Sequence, residues 1–295
     1  AWDHERRLDT RFPKYLGADD TRINKAFGAK WMISAVARSF DPGCQVDHTP
    51  VLCGPQGSGK SSACRALVPS QDYFNDNLPA ALGSKDAADY LQGLWIVELS
   101  ELDSYNRAEM ATAKAFLTRR TDRYRAAYAR RTESHGRRCV FIGTTNEDAY
   151  LRDSTGNRRF WPVSVGQVRL DELARDRDPL WAEAVARYRA GEQWHLTDQR
   201  DVSDAIDAQQ ERFVVDAWEP KVEEYLGTPT TTGPRKQVTV TEVLESALGL
   251  KLHNWGQAEQ NRVARVLVHL GWERKQIREP DGKRKWHYQP PGGGI

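Results

Sequence analysis

Cysteine is scarce in this chain: four in 295 residues, Cys44, Cys53, Cys64 and Cys139, with no CxxC pair. That excludes a disulfide-stapled scaffold and a thiolate zinc site, and it predicts reduced structural thiols. Long apolar runs are missing as well. None approaches the ~18 residues of a membrane helix, and the opening AWDHERRLDT lacks the apolar core of a secretory signal. A cytoplasmic protein with no membrane partner is therefore expected. The net charge is only +2, which excludes a histone-like or polyacidic chain. Methionine occurs twice and the first residue is Ala, so an excised piece of a longer chain is expected; PPGGGI at the end reads as a tail. What remains is a core-building composition, 39% hydrophobic and 28% charged over 295 residues. At roughly 150 residues per domain this predicts about two domains.

The small total charge conceals three blocks. Residues 105–138 hold ten Lys/Arg against Glu109, Asp122 and Glu133; residues 171–224 hold fifteen Asp/Glu against seven Lys/Arg; residues 234–290 are basic again, eleven against six. Such asymmetry marks the first and third blocks as candidates for a polyanion partner.

Apolar spacing predicts a helix over 20–40, with Ile23, Phe27, Trp31, Ile33 and Val36 near the helical period. Val51-Leu52-Cys53, Leu94-Trp95-Ile96-Val97 and Val140-Phe141-Ile142 read as short buried strands, with helices predicted over 60–68 and 107–119. Strands of this kind separated by helices point to a mostly parallel sheet covered on both faces. The expected organisation is a helical segment over 1–48, an α/β core over 49–170, and an acidic helical segment over 171–226. A linker over 227–236, a compact module over 237–290 and the tail 291–295 complete it.

Residues 54–61 read GPQGSGKS and fit G-x-x-x-x-G-K-[ST]. In such a loop Gly54, Pro55, Gln56, Gly57, Ser58 and Gly59 turn backbone N–H groups toward phosphates, Lys60 reaches the terminal phosphate oxygens, and Ser61 ligates Mg²⁺. Ser62, the next residue, completes the expected nucleotide-binding set. A strand before and a helix after complete the pattern, which predicts binding of ATP with Mg²⁺. A phosphate loop needs a second strand bringing a carboxylate toward the metal. LWIVELSE supplies Glu98 for the Mg²⁺ shell and Glu101 as candidate general base, while Asn146, at the end of VFIGTTN, can bond the terminal phosphate or the attacking water.

GPQGSGKS, WIVELSEL, KAFLTRRTDRYRAAYARR and CVFIGTTNEDAYLRDSTGNRRFWPV together resemble the virulence-associated protein E family over roughly residues 20–190. That is a phage and prophage P-loop ATPase family related to superfamily 3 helicases, which are hexameric rings with an AAA+-like core that move along single-stranded DNA. The resemblance implies that Lys60 and Ser61 are the Walker A residues, Glu98 the Walker B acid and Asn146 the sensor. It also implies that the basic stretch 114–131 faces DNA. One departure leaves the catalytic base open: superfamily 3 usually pairs two adjacent acids, whereas Leu99 and Ser100 separate Glu98 from Glu101.

TRRTDRYRAAYARRT reads as a loop in which arginines alternate with tyrosines. Lys114, Arg119, Arg120, Arg123, Arg125, Arg130 and Arg131 would hold phosphates while Tyr124 and Tyr128 stack on bases. After the sensor, Arg158 and Arg159 sit on a turn containing Gly156 and closed by Pro162. In ring ATPases such an arginine reaches a neighbour's terminal phosphate; a structural pairing with Asp153 or Glu147 is the competing reading.

The last module begins with a helix capped by Thr241 and stopped by Gly249. A second helix follows over 257–270, then strands over 272–277 and 285–288 joined across Pro280-Asp281-Gly282. This order resembles a winged helix, with Arg262, Arg265, Lys283, Arg284 and Lys285 as candidate DNA contacts. The leading expectation is an ATP-driven DNA helicase or translocase acting on single-stranded or forked DNA. The rivals are an ATP-switched initiator that does not unwind processively and a small-molecule P-loop kinase.

Overall fold

The computed structural model describes residues 2–78, 82, 85–124, 131, 133–151, 156–214, 216–231, 233–278, 282 and 284–290, with backbone alone at 85, 86, 107 and 124. Their contacts divide into two units, Ala1–Val214 and Val215–Ile295.

The first unit is α/β. Five strands, β1 (Thr49–Cys53), β2 (Phe74–Asn75), β3 (Ile96–Leu99), β6 (Val140–Thr145) and β7 (Phe160–Ser164), form a wholly parallel sheet in the order β2-β3-β6-β1-β7. Two further strands, β4 (Thr121–Tyr124) and β5 (Glu133–Gly136), make a separate antiparallel ribbon. Helices α1 (Arg11–Leu16), α2 (Arg22–Phe40), α3 (Lys60–Ala66), α4 (Lys85–Tyr90), α5 (Arg107–Leu117), α6 (Leu170–Arg189) and α7 (Gln199–Glu211) complete the unit. β1, β3 and β6 are buried at every position, as strands of a sheet covered on both faces must be. Successive side chains alternate between two cores. Leu52, Ile96, Ile142 and Val163 join Phe27 and Trp31 of α2 on one face, while Val51, Val97, Phe141 and Phe160 join Met110 and Phe116 of α5 on the other. Thr21 caps α2 by accepting from the Asn24 amide, and Trp31 Nε1 donates to the Phe141 carbonyl across 2.7 Å, pinning the helix to the sheet.

Several expectations shift here. The N-terminal segment is no separate piece, because α1 and α2 belong to the core on the sheet's first face. Pro162 does not close a turn: it lies in β7, an edge strand, where a residue lacking an N–H is tolerated. The basic stretch is not simply a loop, since its two ends pair as β4 and β5. Of the acidic helices, α6 opens at Leu170 and runs through Pro179.

The second unit contains α8 (Glu219–Gly227), α9 (Val240–Glu242, continued by a π-turn over Val243–Ala247), α10 (Gln257–His269) and the hairpin β8 (Glu273–Arg278) and β9 (Arg284–Gln289). Val222 of α8 packs with Val238, Leu244, Val263, Leu267 and Trp272, so this core draws in a helix expected to precede the linker. Residues 227–236 therefore lie within the unit, where Thr230 and Gly233 exchange two backbone hydrogen bonds. Thr239, not Thr241, caps the first helix, in a reciprocal box with Glu242. Of the expected hairpin turn only Gly282 lies among the described residues. No helix among the described residues is long and apolar enough to cross a membrane.

Candidate functional site

Parallel strands deliver the loops that follow them to one rim of the sheet, and the residues at that rim come from three strand ends. The glycine-rich loop 54–59 leaves β1 and enters α3 at Lys60. Gly57 and Gly59 hold φ of 78° and 87°, a region other residues enter at a cost, so the loop's path requires them. The Lys60 ammonium donates to the Gly54 and Pro55 carbonyls at 2.7 and 2.8 Å and to Asn146 Oδ1 at 3.2 Å. Burial pushes its pKa below the ordinary lysine value.

Glu98 does not mark the strand's exit. It sits inside β3, wholly buried. Two hydroxyls, Ser61 Oγ at 2.6 Å and Thr144 Oγ1 at 2.7 Å, donate to its Oε1. Its Oε2 is buried and makes no hydrogen bond. A carboxylate oxygen buried without a donor is costly, and a cation satisfies it. With the adjacent Ser61 hydroxyl, this is a donor set that fits a hard, oxygen-seeking ion such as Mg²⁺.

Glu101 lies in the left-handed region, φ 50°, exposed at the mouth of a cleft of about 430 Å³. The cleft is lined by Gln56, Gly57, Ser58, Gly59, Lys60, Ser61, Ser62, Ser100, Thr144, Thr145 and Asn146 as well. Asp103, which sequence reasoning missed, accepts from Thr145 Oγ1 at 2.6 Å and from the Asn146 amide at 3.3 Å. Thr144 was missed too. The alternation of β6 is the signal that finds it, since a polar residue at a core position of a buried strand needs a polar partner.

The turn Asn157–Arg159 precedes β7. Arg158 is exposed; Arg159 is half-buried, donates to the Gly156 carbonyl, and leaves its Nε buried without a partner. Neither arginine pairs with Glu147 among the described residues, and Asp153 lies outside them.

The expected DNA contacts divide by environment. Arg123 and Arg131 are exposed. Lys114 is buried and donates to Asn157 Oδ1 at 2.8 Å, Arg119 lies over the Phe116 ring, and Arg120 donates to the Gly43 carbonyl. Asp122 is not a surface acid: it holds the buried Arg137 through two hydrogen bonds. Arg125, Tyr128, Arg130, Lys283 and the side chain of Tyr124 lie outside the described residues. Arg262 is engaged by Asp216 and by the Trp218 ring, 3.9 Å from its centroid; Arg265, Arg284 and Lys285 are exposed.

The chain belongs to the virulence-associated protein E-like domain family, which its residues 1–215 match. Among solved structures it is similar to the A form apo structure of the NrS-1 C terminal region, with a TM-score of 0.51 and 14% identity over 96% of this chain and 74% of that one. A second apo structure of the same region gives 0.48 and 16% with the same coverage. At this identity the likeness concerns the fold alone. No curated protein matches the chain in sequence.

Proposed function

We propose that this chain is an ATP-driven motor on DNA, a helicase or translocase of superfamily 3 type serving phage or prophage replication. In this reading the first unit is an AAA+-like P-loop ATPase that works as a ring, and the second is a winged-helix-like module. The observation that carries it is the convergence of Ser61 and Thr144 on one oxygen of the buried Glu98 while its other oxygen stays unpaired, beside a glycine-rich loop closed by Lys60.

Each residue then has a task. Lys60 places a positive charge where the terminal phosphates of a nucleotide in the cleft would lie. Ser61 and Glu98 would hold Mg²⁺, which when bound supplies neutralisation of phosphate charge. Thr144 fixes the Glu98 rotamer so that its free oxygen keeps its aim. Asn146, tied to Lys60 at its side chain and to Asp103 at its amide, orients the attacking water. Glu101, exposed at the cleft mouth, takes the proton from that water. Arg158 or Arg159, from a neighbouring subunit, adds charge as the phosphoryl bond breaks.

The test is ATP hydrolysis by the purified chain, with and without single-stranded DNA, together with strand displacement on a forked duplex. Lys60→Ala should cost about 10²–10³-fold in turnover, the scale of one lost charge-stabilising donor, with an unchanged circular dichroism spectrum. Wild-type turnover in that variant overturns the reading. Hydrolysis stimulated by DNA without strand displacement would instead identify an ATP-switched initiator.

A further inference from the structure

The β8–β9 hairpin has two unlike faces. Antiparallel register pairs Arg274 with Tyr288, Gln276 with Trp286 and Arg278 with Arg284, so these six side chains share one face. Five of them are exposed; only Tyr288, at the root, is buried. That face carries three arginines and no acid. Glu273 sits on the other face and pairs there with Lys275 at 3.3 Å. Among the described residues no carboxylate pairs with Arg274, Arg278 or Arg284.

In the middle of this face stands Trp286, 49% exposed. Arg274 covers one side of its ring, 4.1 Å from the centroid. Among the described residues no other ring or cation packs on Trp286, and it keeps about half of its surface exposed. A large aromatic held by a cation, with Arg284 two residues along its strand and Arg278 paired across from Arg284, has the two elements of single-strand recognition: a surface for a base and charges for its flanking phosphates. The root is fixed independently, because Val238 and Tyr288 exchange backbone hydrogen bonds of 2.9 and 2.8 Å.

We propose that this face of the hairpin is a contact for an unpaired DNA nucleotide. The base stacks on the open side of Trp286, and Arg278 and Arg284 hold the adjoining phosphates. The inference rests on the reading that the chain acts on DNA and deepens it. It moves the contact away from Arg262, which Asp216 engages, and from Lys285, which belongs to the opposite face. A duplex hides its base faces, so the preferred substrate is a strand with unpaired bases.

The experiment is anisotropy of a labelled oligothymidylate with the full chain across a salt series. Trp286→Ala should weaken binding about 5- to 140-fold, the range of one lost base stack, and Trp286→Phe should recover most of that. On an oligonucleotide abasic at every position the two variants should match wild type. Replacing Arg278 and Arg284 by Ala should flatten the slope of log affinity against log salt by about 1.4. Unchanged affinity in Trp286→Ala, or an equal loss on the abasic strand, overturns the proposal. So does a loss confined to anionic phosphatidylserine vesicles, which would make the face a membrane contact. ATP hydrolysis by Lys60→Ala, measured in parallel, reports on the ATPase reading separately, because neither outcome there alters stacking on Trp286.

Discussion

Asp103 accepts a 2.6 Å hydrogen bond from Thr145 Oγ1, joining the turn after β3 to the end of β6. The same oxygen reaches the Asn146 amide. Asp103 thereby sets where the Asn146 side chain meets Lys60. We predict that Asp103→Ala lowers kcat for ATP hydrolysis about 10- to 100-fold, the worth of a charge-assisted hydrogen bond, with little change in KM. Asp103→Asn, which keeps an acceptor, should fall between. A large rise in KM with kcat intact would show that Asp103 serves nucleotide binding instead.

The basic stretch separates by burial. Arg123 and Arg131 are exposed, whereas Lys114 is buried against Asn157. Replacing both arginines by Ala should reduce the salt slope of single-strand binding by about 1.4. Lys114→Ala should leave that slope alone and lower ATP turnover, since it loosens the turn carrying Arg158 and Arg159. Salt titrations of the two variants side by side check the distinction.

Arginine action between subunits has a direct assay. Subunits with Lys60→Ala mixed with subunits carrying Arg159→Ala should regain ATPase activity that neither has alone, because an intact loop and an intact arginine meet at one interface. Arg158→Ala in the same mixture tells the two arginines apart. Activity independent of protein concentration in the wild type would argue against any such interface.

The Asp122–Arg137 pair is buried on both sides, at 2.6 and 2.8 Å. Arg137→Met should cost about 3–5 kcal/mol in urea unfolding, because it strands a buried carboxylate. Adding Asp122→Leu should recover much of that loss. If the double variant is as unstable as the single one, the cost comes from lost packing on Phe116 and not from stranded charge.

His48 lies buried and stacked on Trp161, ring centroids 3.9 Å apart, with its Nε2 unpartnered. Burial pushes its pKa down to about 3, with His195 and Arg38 adding repulsion. Above pH 6.5 both folded and unfolded chains carry it neutral. As pH falls from 6.5 toward 3 the unfolded chain alone gains the proton, so stability declines by about 1.4 kcal/mol per pH unit. His48→Phe keeps the stack and should flatten unfolding free energy against pH over that window.

How much was legible in the sequence depended on whether a residue's role travels with its neighbours. Lys60 and Ser61 lie in a contiguous motif, and Glu98 and Asn146 belong to or follow apolar strands, so local pattern located them. Asp103 and Thr144 acquire their roles only when β3 and β6 pair. Charge alone misplaced Lys114 and Asp122, because a one-dimensional tally cannot separate a solvated arginine from one that a buried acid holds. β7 escaped notice because Pro162 signals a turn in most contexts and an edge strand in this one. α8 joined the second unit through Trp218 and Val222, apolar positions that its many acids obscured.

The sheet's order also imposes a timetable on the chain as it is made. β1 lies between β6 and β7, yet it precedes them by about 90 and 110 residues. At about 5–20 residues per second of synthesis, the strand that ends in the glycine-rich loop waits roughly 5–20 s for both neighbours. During that interval Val51, Leu52 and Cys53 belong to an unsealed apolar segment with two open edges, which is the stretch a chaperone would have most reason to shield.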